Sequence, residues 1–246
     1  MPRPSRVFQQ ALYDYYLLLS RGYPWRQARA LVAARHGLTR ATQVLLTRCI
    51  PAPPTLAREV RRKLQTPDAA RGKCIVVDAY NQMTTITALL LGHPLYRCLD
   101  GLTRDALLAG AKLATKHAEE AAAMLAWALQ EINPSTVILV FDSQPSHSRE
   151  TAKKTASILE EALPTARIEY HVEPKADKTI IEKATRRRCI AASSDTVVAL
   201  NTPQLLDLAG HTATLAARNS EATITNIPRL LEEEHRSWCS SGGPVA

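Results

Sequence analysis

The 246-residue chain is 46% hydrophobic with a formal net charge of +8, a composition that supports one or two packed domains and excludes a disordered protein. No apolar run reaches the roughly 18 residues of a membrane span, and no Ala-x-Ala-like site follows Arg3, Arg6 and the interrupting Asp14, so no signal peptide and a cytoplasmic location are expected. The charge is uneven: residues 1–73 hold 14 Lys and Arg against 3 Asp and Glu, or +11, while the remainder sums to −3.

The basic third reads as all-helical. Val7 to Ser20 carries an apolar stripe at Leu12, Tyr15, Tyr16 and Leu19. Arg21-Gly-Tyr-Pro24 closes that helix and opens a second, Trp25 to His36, which ends at Gly37. Thr39 caps a third helix running to about Arg48. Beyond the Pro51-Ala-Pro-Pro54 break, a short basic helix carries Arg58, Arg61, Arg62 and Lys63. Gln65 to Gly72 reads as a linker, so residues 1–66 form a basic all-helical domain and residues 72–239 a second domain. Tyr13, Tyr15, Tyr16 and Tyr23 read as helix packing; Tyr80, farther on, is placed to stack on a base.

From Lys73 strands and helices alternate. Strands are expected at Cys74–Asp78, Thr136–Asp142, Arg167–Val172 and Cys189–Ala192, with His211–Leu215 as a last edge strand. Helices are expected from Asn81 to Leu91, within Leu102–Ile132 with a kink at Gly110, and from a Ser146 or Ser148 cap to Leu163. Others follow over Asp177–Arg186, over Asp195 to about Ala209 with a break near Pro203, and over Pro228–His235. His93 to Gly101 reads as a loop or short hairpin, and residues 240–246 as a disordered tail. This alternation implies an α/β parallel sheet with helices on both faces. The five cysteines, Cys49, Cys74, Cys98, Cys189 and Cys239, form no Cys-x-x-Cys pair. Cys74 and Cys189 read as small buried apolar residues, with a disulfide as the alternative in a hyperthermophile.

Four aspartates stand at or near the ends of strand-like runs: Asp78, Asp142, Asp177 and Asp195. Parallel strands open their carboxyl ends onto one crevice, where gathered carboxylates suit a hard divalent cation. Asn81, three residues after Asp78, can face such a metal or its water. Each aspartate has a second reading as a helix cap or first-turn acid. Lys175 and Lys178 flank Asp177 as phosphate contacts, Ser143 follows Asp142, and Ser193 and Ser194 precede Asp195. Asp100 and Arg104 read either as a supporting carboxylate and a phosphate-binding cation or, slightly favoured, as a surface turn. Ser143, Ser146 and His147 allow a Ser–His pair, but no Gly-x-Ser-x-Gly elbow is present. The seven histidines show no ligand spacing, and the absence of a Walker loop and of Gly-x-Gly-x-x-Gly leaves nucleotide chemistry without support.

Val-Val-Asp78-Ala-Tyr-Asn81, Phe-Asp142, Lys175-Ala-Asp177 and Ser193-Ser-Asp195 resemble the motif order of the PIN-like nuclease superfamily, closest to its NYN branch. The chain also resembles mainly archaeal proteins that pair a small helical domain of unknown function, the family 434 type, with a PIN-like domain. The residues concerned are Ala11-Leu-Tyr-Asp14, Arg21-Gly-Tyr-Pro24 and Asp207-Leu-Ala-Gly-His211. The resemblance implies a Rossmann-like α/β/α fold and a Mg²⁺ or Mn²⁺ site that cuts RNA to 5′-phosphate products. It implies Asp78, Asp142 and Asp195 as metal ligands, Asp177 as a ligand or its neighbour, and Asn81 as the group that orients water or phosphate. One departure is that Thr196-Val197-Val198 replaces the second acid common after Ser-x-Asp in NYN nucleases.

The expected function is therefore metal-dependent RNA hydrolysis. Arg26, Arg29, Arg35, Arg40, Arg61, Arg62, Lys175 and Lys178 would grip the RNA backbone, since Arg favours phosphate forks. The alternative is an RNA-binding or ribonucleoprotein-associated protein that keeps the fold without the reaction. A phosphatase is disfavoured because no Asp-x-Asp nucleophile motif is present. A homodimer is compatible with the sequence; a membrane partner is not expected.

Overall fold

Hydroxyl caps start the first and third helices in this computed structural model, which describes residues 5–106, 110–217 and 224–240. The Phe8 amide donates to the Ser5 side chain to open α1 (Arg6–Ser20). After α2 (Trp25–His36), left-handed Gly37 at φ 61° turns the chain. The Thr42 amide donates to Thr39 to open α3 (Arg40–Cys49). α4 (Thr55–Lys63) is the expected basic helix, and the expected linker contains a short α5 (Pro67–Ala70).

The alternating part then runs β1 (Cys74–Asp78), α6 (Ala79–Leu90), β2 (Leu95–Arg97), β3 (Thr103–Asp105), α7 (Gly110–Lys116), α8 (Ala118–Ile132), β4 (Thr136–Asp142) and α9 (Ser148–Ala162). It continues through β5 (Arg167–Glu173), α10 (Ala176–Arg186), β6 (Ile190–Ala192), α11 (Thr196–Asn201), α12 (Leu208–Ala217), β7 (Ile224–Asn226) and α13 (Ile227–Ser240). The main sheet is wholly parallel, in the order β5-β4-β1-β6. A second sheet, β3-β2-β7, pairs β2 antiparallel to β3 and parallel to β7. The protein is thus α/β, with an N-terminal helical region as expected. No helix among the described residues is long and apolar enough to cross a membrane.

Strand alternation divides the main core in two. Ile75, Val77, Val137, Leu139 and Phe141 face one side, against Met83, Leu125, Leu129, Ala156 and Leu159 of α6, α8 and α9. Val76, Ile138 and Val140 face the other, against Ile180 of α10, Val198 of α11 and Val60 of α4. A third core lies among α1, α2 and α3, where Leu12, Tyr15 and Leu46 are buried. Cys98 and Leu99 complete it, with Ile227, Leu230 and Leu231 of α13. On the same contact, the Gln9 side chain donates to the Leu230 carbonyl at 3.2 Å, and the Tyr13 hydroxyl meets His235 Nδ1 at 2.6 Å.

Several expectations need correction. His211–Leu215 lies inside α12, where the Thr212 and Thr214 hydroxyls return to the Leu208 and Gly210 carbonyls. The Ala-rich stretch begins with β3 and breaks at His117 rather than kinking at Gly110, which opens α7. Neither Ser146 nor Ser148 caps α9; left-handed His147 precedes it, and the Ser148 hydroxyl donates to the Pro145 carbonyl. Tyr80 is core, edge-on to Phe141 at 5.1 Å with its hydroxyl donating to Ser148, so it offers no face to a base. Cys74 and Cys189 form a disulfide, because the β1–β6 register that pairs Ile75 with Ile190 brings their Cα atoms to 4.6 Å. Of residues 240–246, expected as a disordered tail, Ser240 ends α13 and residues 241–246 lie outside the described residues.

The Asp-Leu-Ala-Gly-His stretch joins the two sheets. Half-buried Asp207 accepts from the Thr103 amide at 2.9 Å and the Thr103 hydroxyl at 2.7 Å, and from the Gly210 amide at the start of α12. A Cβ at Gly210 would overlap both the Asp207 carboxylate and the Thr103 hydroxyl. Gly210→Ala should therefore destabilise the protein by about 1–3 kcal/mol despite Ala's better helix propensity. Denaturant unfolding checks this; an unchanged midpoint would show that the Asp207–Thr103 bond yields without cost.

Candidate active site

The four aspartates come within electrostatic reach of one another because they share one side of the sheet. Asp78 is in phase with Val76, and Asp142 with Ile138 and Val140, so both project toward the face covered by α10 and α11. Asp177 lies in the first turn of α10, and Asp195 is the N-cap of α11. Counted along the sheet, the strands lie in the order third, second, first, fourth, so the chain reverses its direction of winding between β1 and β6. Ligand crevices of open parallel sheets form at such a point, and Asp78 and Asp195 stand on either side of it.

The electrostatics follow from crowding. Asp78 is 9% exposed, and its carboxyl is raised to about 7, chiefly by burial and then by Asp195 and Asp177, against the pull of a hydrogen bond from the Ser193 hydroxyl at 2.7 Å. Asp177, at the solvent-facing rim, is also raised, first by partial loss of solvent and then by Asp195 and Asp142. Asp142 is half-buried and accepts from the Gln144 amide at 2.8 Å. Asp195 is partly spent as a cap: its Oδ1 accepts from the Val197 and Val198 amides at 2.7 and 3.1 Å.

The Ser193-Ser194-Asp195 loop is held from beneath. Asn81 Oδ1 accepts from both the amide and the hydroxyl of Ser194 at 2.9 Å, and from Gln82 at 2.8 Å. Its oxygen is committed to the loop, so its Nδ2 is the atom left for a ligand. Arg104 makes a two-pronged pair with Asp100 at 2.8 and 2.7 Å, and its Nε donates to the Ser194 carbonyl at 2.9 Å. With exposures of 5% and 2%, Arg104 and Asp100 are not a surface turn. They support the loop and are not placed to touch phosphate. Lys63 of α4 closes the other end of α11, donating to the Leu200 carbonyl at 2.6 Å and the Ala199 carbonyl at 3.3 Å. Sequence reasoning missed this role, since a basic helix read alone gives no sign of what lies beneath it.

The basic residues fall into separate groups. Lys175 and Lys178 are exposed around Asp177 at the crevice. Arg61 and Arg62 are exposed on α4, with the Arg61 stem against the Asp100-Gly101 turn. On α2, Arg26 and Arg29 lie over the Trp25 ring at 4.7 and 5.3 Å. Arg35 pairs with Asp14 at 3.4 Å, and Arg40 is exposed. Ser143 is exposed beyond Asp142, where its amide donates to the Glu173 carbonyl.

The donor set is all oxygen, the kind that suits Mg²⁺ or Mn²⁺, and like charges crowd within it. Among the described residues no three His, Cys, Asp or Glu side chains are already grouped as a metal cage. The crevice matches a hard cation in chemistry and charge, and its carboxylates would have to draw together to hold one.

Comparison with known proteins places two family matches end to end. Residues 7–63 match a family described as a protein of unknown function (DUF434), and residues 67–211 match a domain of unknown function (DUF5616). They meet between α4 and α5, in the expected order of a small helical domain followed by another. An uncharacterised protein of Methanocaldococcus jannaschii is 27% identical over 147 residues, covering 59% of this chain and 70% of the relative. No solved structure matches.

Proposed function

For a chain that belongs to the family of the domain of unknown function DUF5616, we propose metal-dependent RNA hydrolysis on a PIN-like, Rossmann-like fold of the NYN type, acting in the cytoplasm. The observation that carries this reading is the crowding of Asp78, Asp142, Asp177 and Asp195 at the reversal of the sheet, where burial first and then Asp195 and Asp177 raise Asp78, and loss of solvent first and then Asp195 and Asp142 raise Asp177. Structural ion pairs lower carboxyl pKa values; mutual repulsion in a crevice is the pattern of a site built for a cation.

Asp78, Asp142 and Asp195 would hold the ion, with Asp177 as a further ligand or its neighbour. A bound Mg²⁺ or Mn²⁺ would supply Lewis acidity and a more acidic water. The Asn81 Nδ2 would orient the phosphate or that water. Lys175 and Lys178 would offset negative charge on the phosphate. Arg61, Arg62 and the α2 arginines would grip the backbone, so binding should weaken steeply with salt.

The second reading, RNA binding without cleavage, is favoured by one feature. Val197 and Val198 occupy the first turn of α11, so Asp195 has no acidic neighbour there. Labelled total RNA incubated with the protein and Mn²⁺, Mg²⁺ or EDTA separates the two. Cleavage with a divalent cation and none with EDTA is the expected result. Intact RNA under every cation, with salt-sensitive and chelator-insensitive binding, would replace the nuclease with the binding protein.

A further inference from the structure

We propose that Cys49 and Cys98 form a second disulfide, which fastens the N-terminal helices to the three-stranded sheet. Their Sγ atoms lie 3.0 Å apart, and both side chains are 0% exposed. Cys49 is the last residue of α3, and Cys98 directly follows β2. The Leu99 amide donates to the Cys49 carbonyl at 2.9 Å, so the two backbones are held together independently of the sulfurs. From 3.0 Å, an S–S bond of about 2.04 Å needs an approach of only about 1 Å. The chain already holds a bridge between Cys74 and Cys189, so both pairs would meet the same oxidant.

The oxidant is a low-molecular-weight or protein disulfide. One thiolate attacks it to give a mixed disulfide and releases one thiol. The second cysteine then displaces the other. Two Cys thiols are oxidised to one S–S bond, and the disulfide takes up the two electrons and two protons as two thiols. Burial pushes the Cys49 thiol well up, which starves the folded protein of thiolate. The bond therefore forms while the chain folds. It anchors the base of the turn in which Cys98 and Leu102 are hydrogen-bonded and from which Asp100 grips Arg104.

The test refolds the full chain from denaturant in a glutathione redox buffer, then alkylates it in denaturant without reductant. Of five cysteines, two bridges leave one reactive thiol, Cys239, whereas the Cys74–Cys189 bridge alone leaves three. A single adduct is expected. An unreduced tryptic digest should join peptide 49–58 to peptide 98–104, and reductant should separate them. Three or five adducts, or Cys98 recovered in linkage to any other cysteine, would overturn the proposal.

Discussion

Replacing Asp78 with Asn should abolish RNA cleavage and still give a more stable protein at pH 8. The two effects share one cause. Folding places this carboxyl in a crevice that raises it from 3.8 to about 7. The folded state thus keeps its proton to near neutrality, while the unfolded chain releases it near pH 4. Between those values the folded state binds more protons, so rising pH favours unfolding. The penalty is absent below pH 4 and complete above pH 7, with an upper bound of about 4 kcal/mol. Asn carries no charge into the site, and its side-chain oxygen can still accept from the Ser193 hydroxyl. Melting curves without divalent cation should show the variant's advantage growing from pH 4 to pH 8. If the variant matched the native protein at both ends, Asp78 would not be ionising against burial and its acidic neighbours, and the crevice that carries the nuclease reading would lose its electrostatic support.

Arg104→Met should have the largest effect on stability, about 3–5 kcal/mol, the usual cost of removing one partner from a buried ion pair. It strands the Asp100 carboxylate at 2% exposure and removes the donor to the Ser194 carbonyl. Arg104→Lys should not rescue it. One ammonium cannot reproduce the fork to both Asp100 oxygens together with the third bond to Ser194. Adding Asp100→Leu to Arg104→Met should recover part of the stability, because the stranded charge is gone, but should not recover cleavage, because the Ser194 loop stays unsupported. Denaturant unfolding and RNA cleavage on the same three proteins check both halves. A double variant no more stable than the single one would mean that the loop contact, rather than the ion pair, dominates the energetics.

The parts legible in the sequence were those with strong local grammar. β1 and β4 stand out because strands buried on both faces read as unbroken apolar runs, and Asp78 and Asp142 end them. The second and third helices are framed by Gly37 and Thr39, each acting as the terminus its chemistry favours. The failures were tertiary. β7 has three residues, too few for a period, and exists through its pairing with β2. His211 to Leu215 alternates like a strand, yet Asp207 and Gly210 start a helix that the threonine hydroxyls tolerate. Asp100 and Arg104 looked like a solvated pair because sequence carries no sign of what will cover a charge. The site's acids could be named from the strand ends; the residues that hold them in place could not.

The contact between α1 and α13 sets a timetable for biosynthesis. A ribosome makes Phe8, Leu12 and Tyr15 well before the residues that join their core, Ile227, Leu230 and Leu231. At elongation rates of about 5–20 residues per second, the opening helices wait roughly 10 to 40 s with one apolar side bare. During that interval the nascent protein is most open to chaperones, to proteases and to its neighbours on the same message.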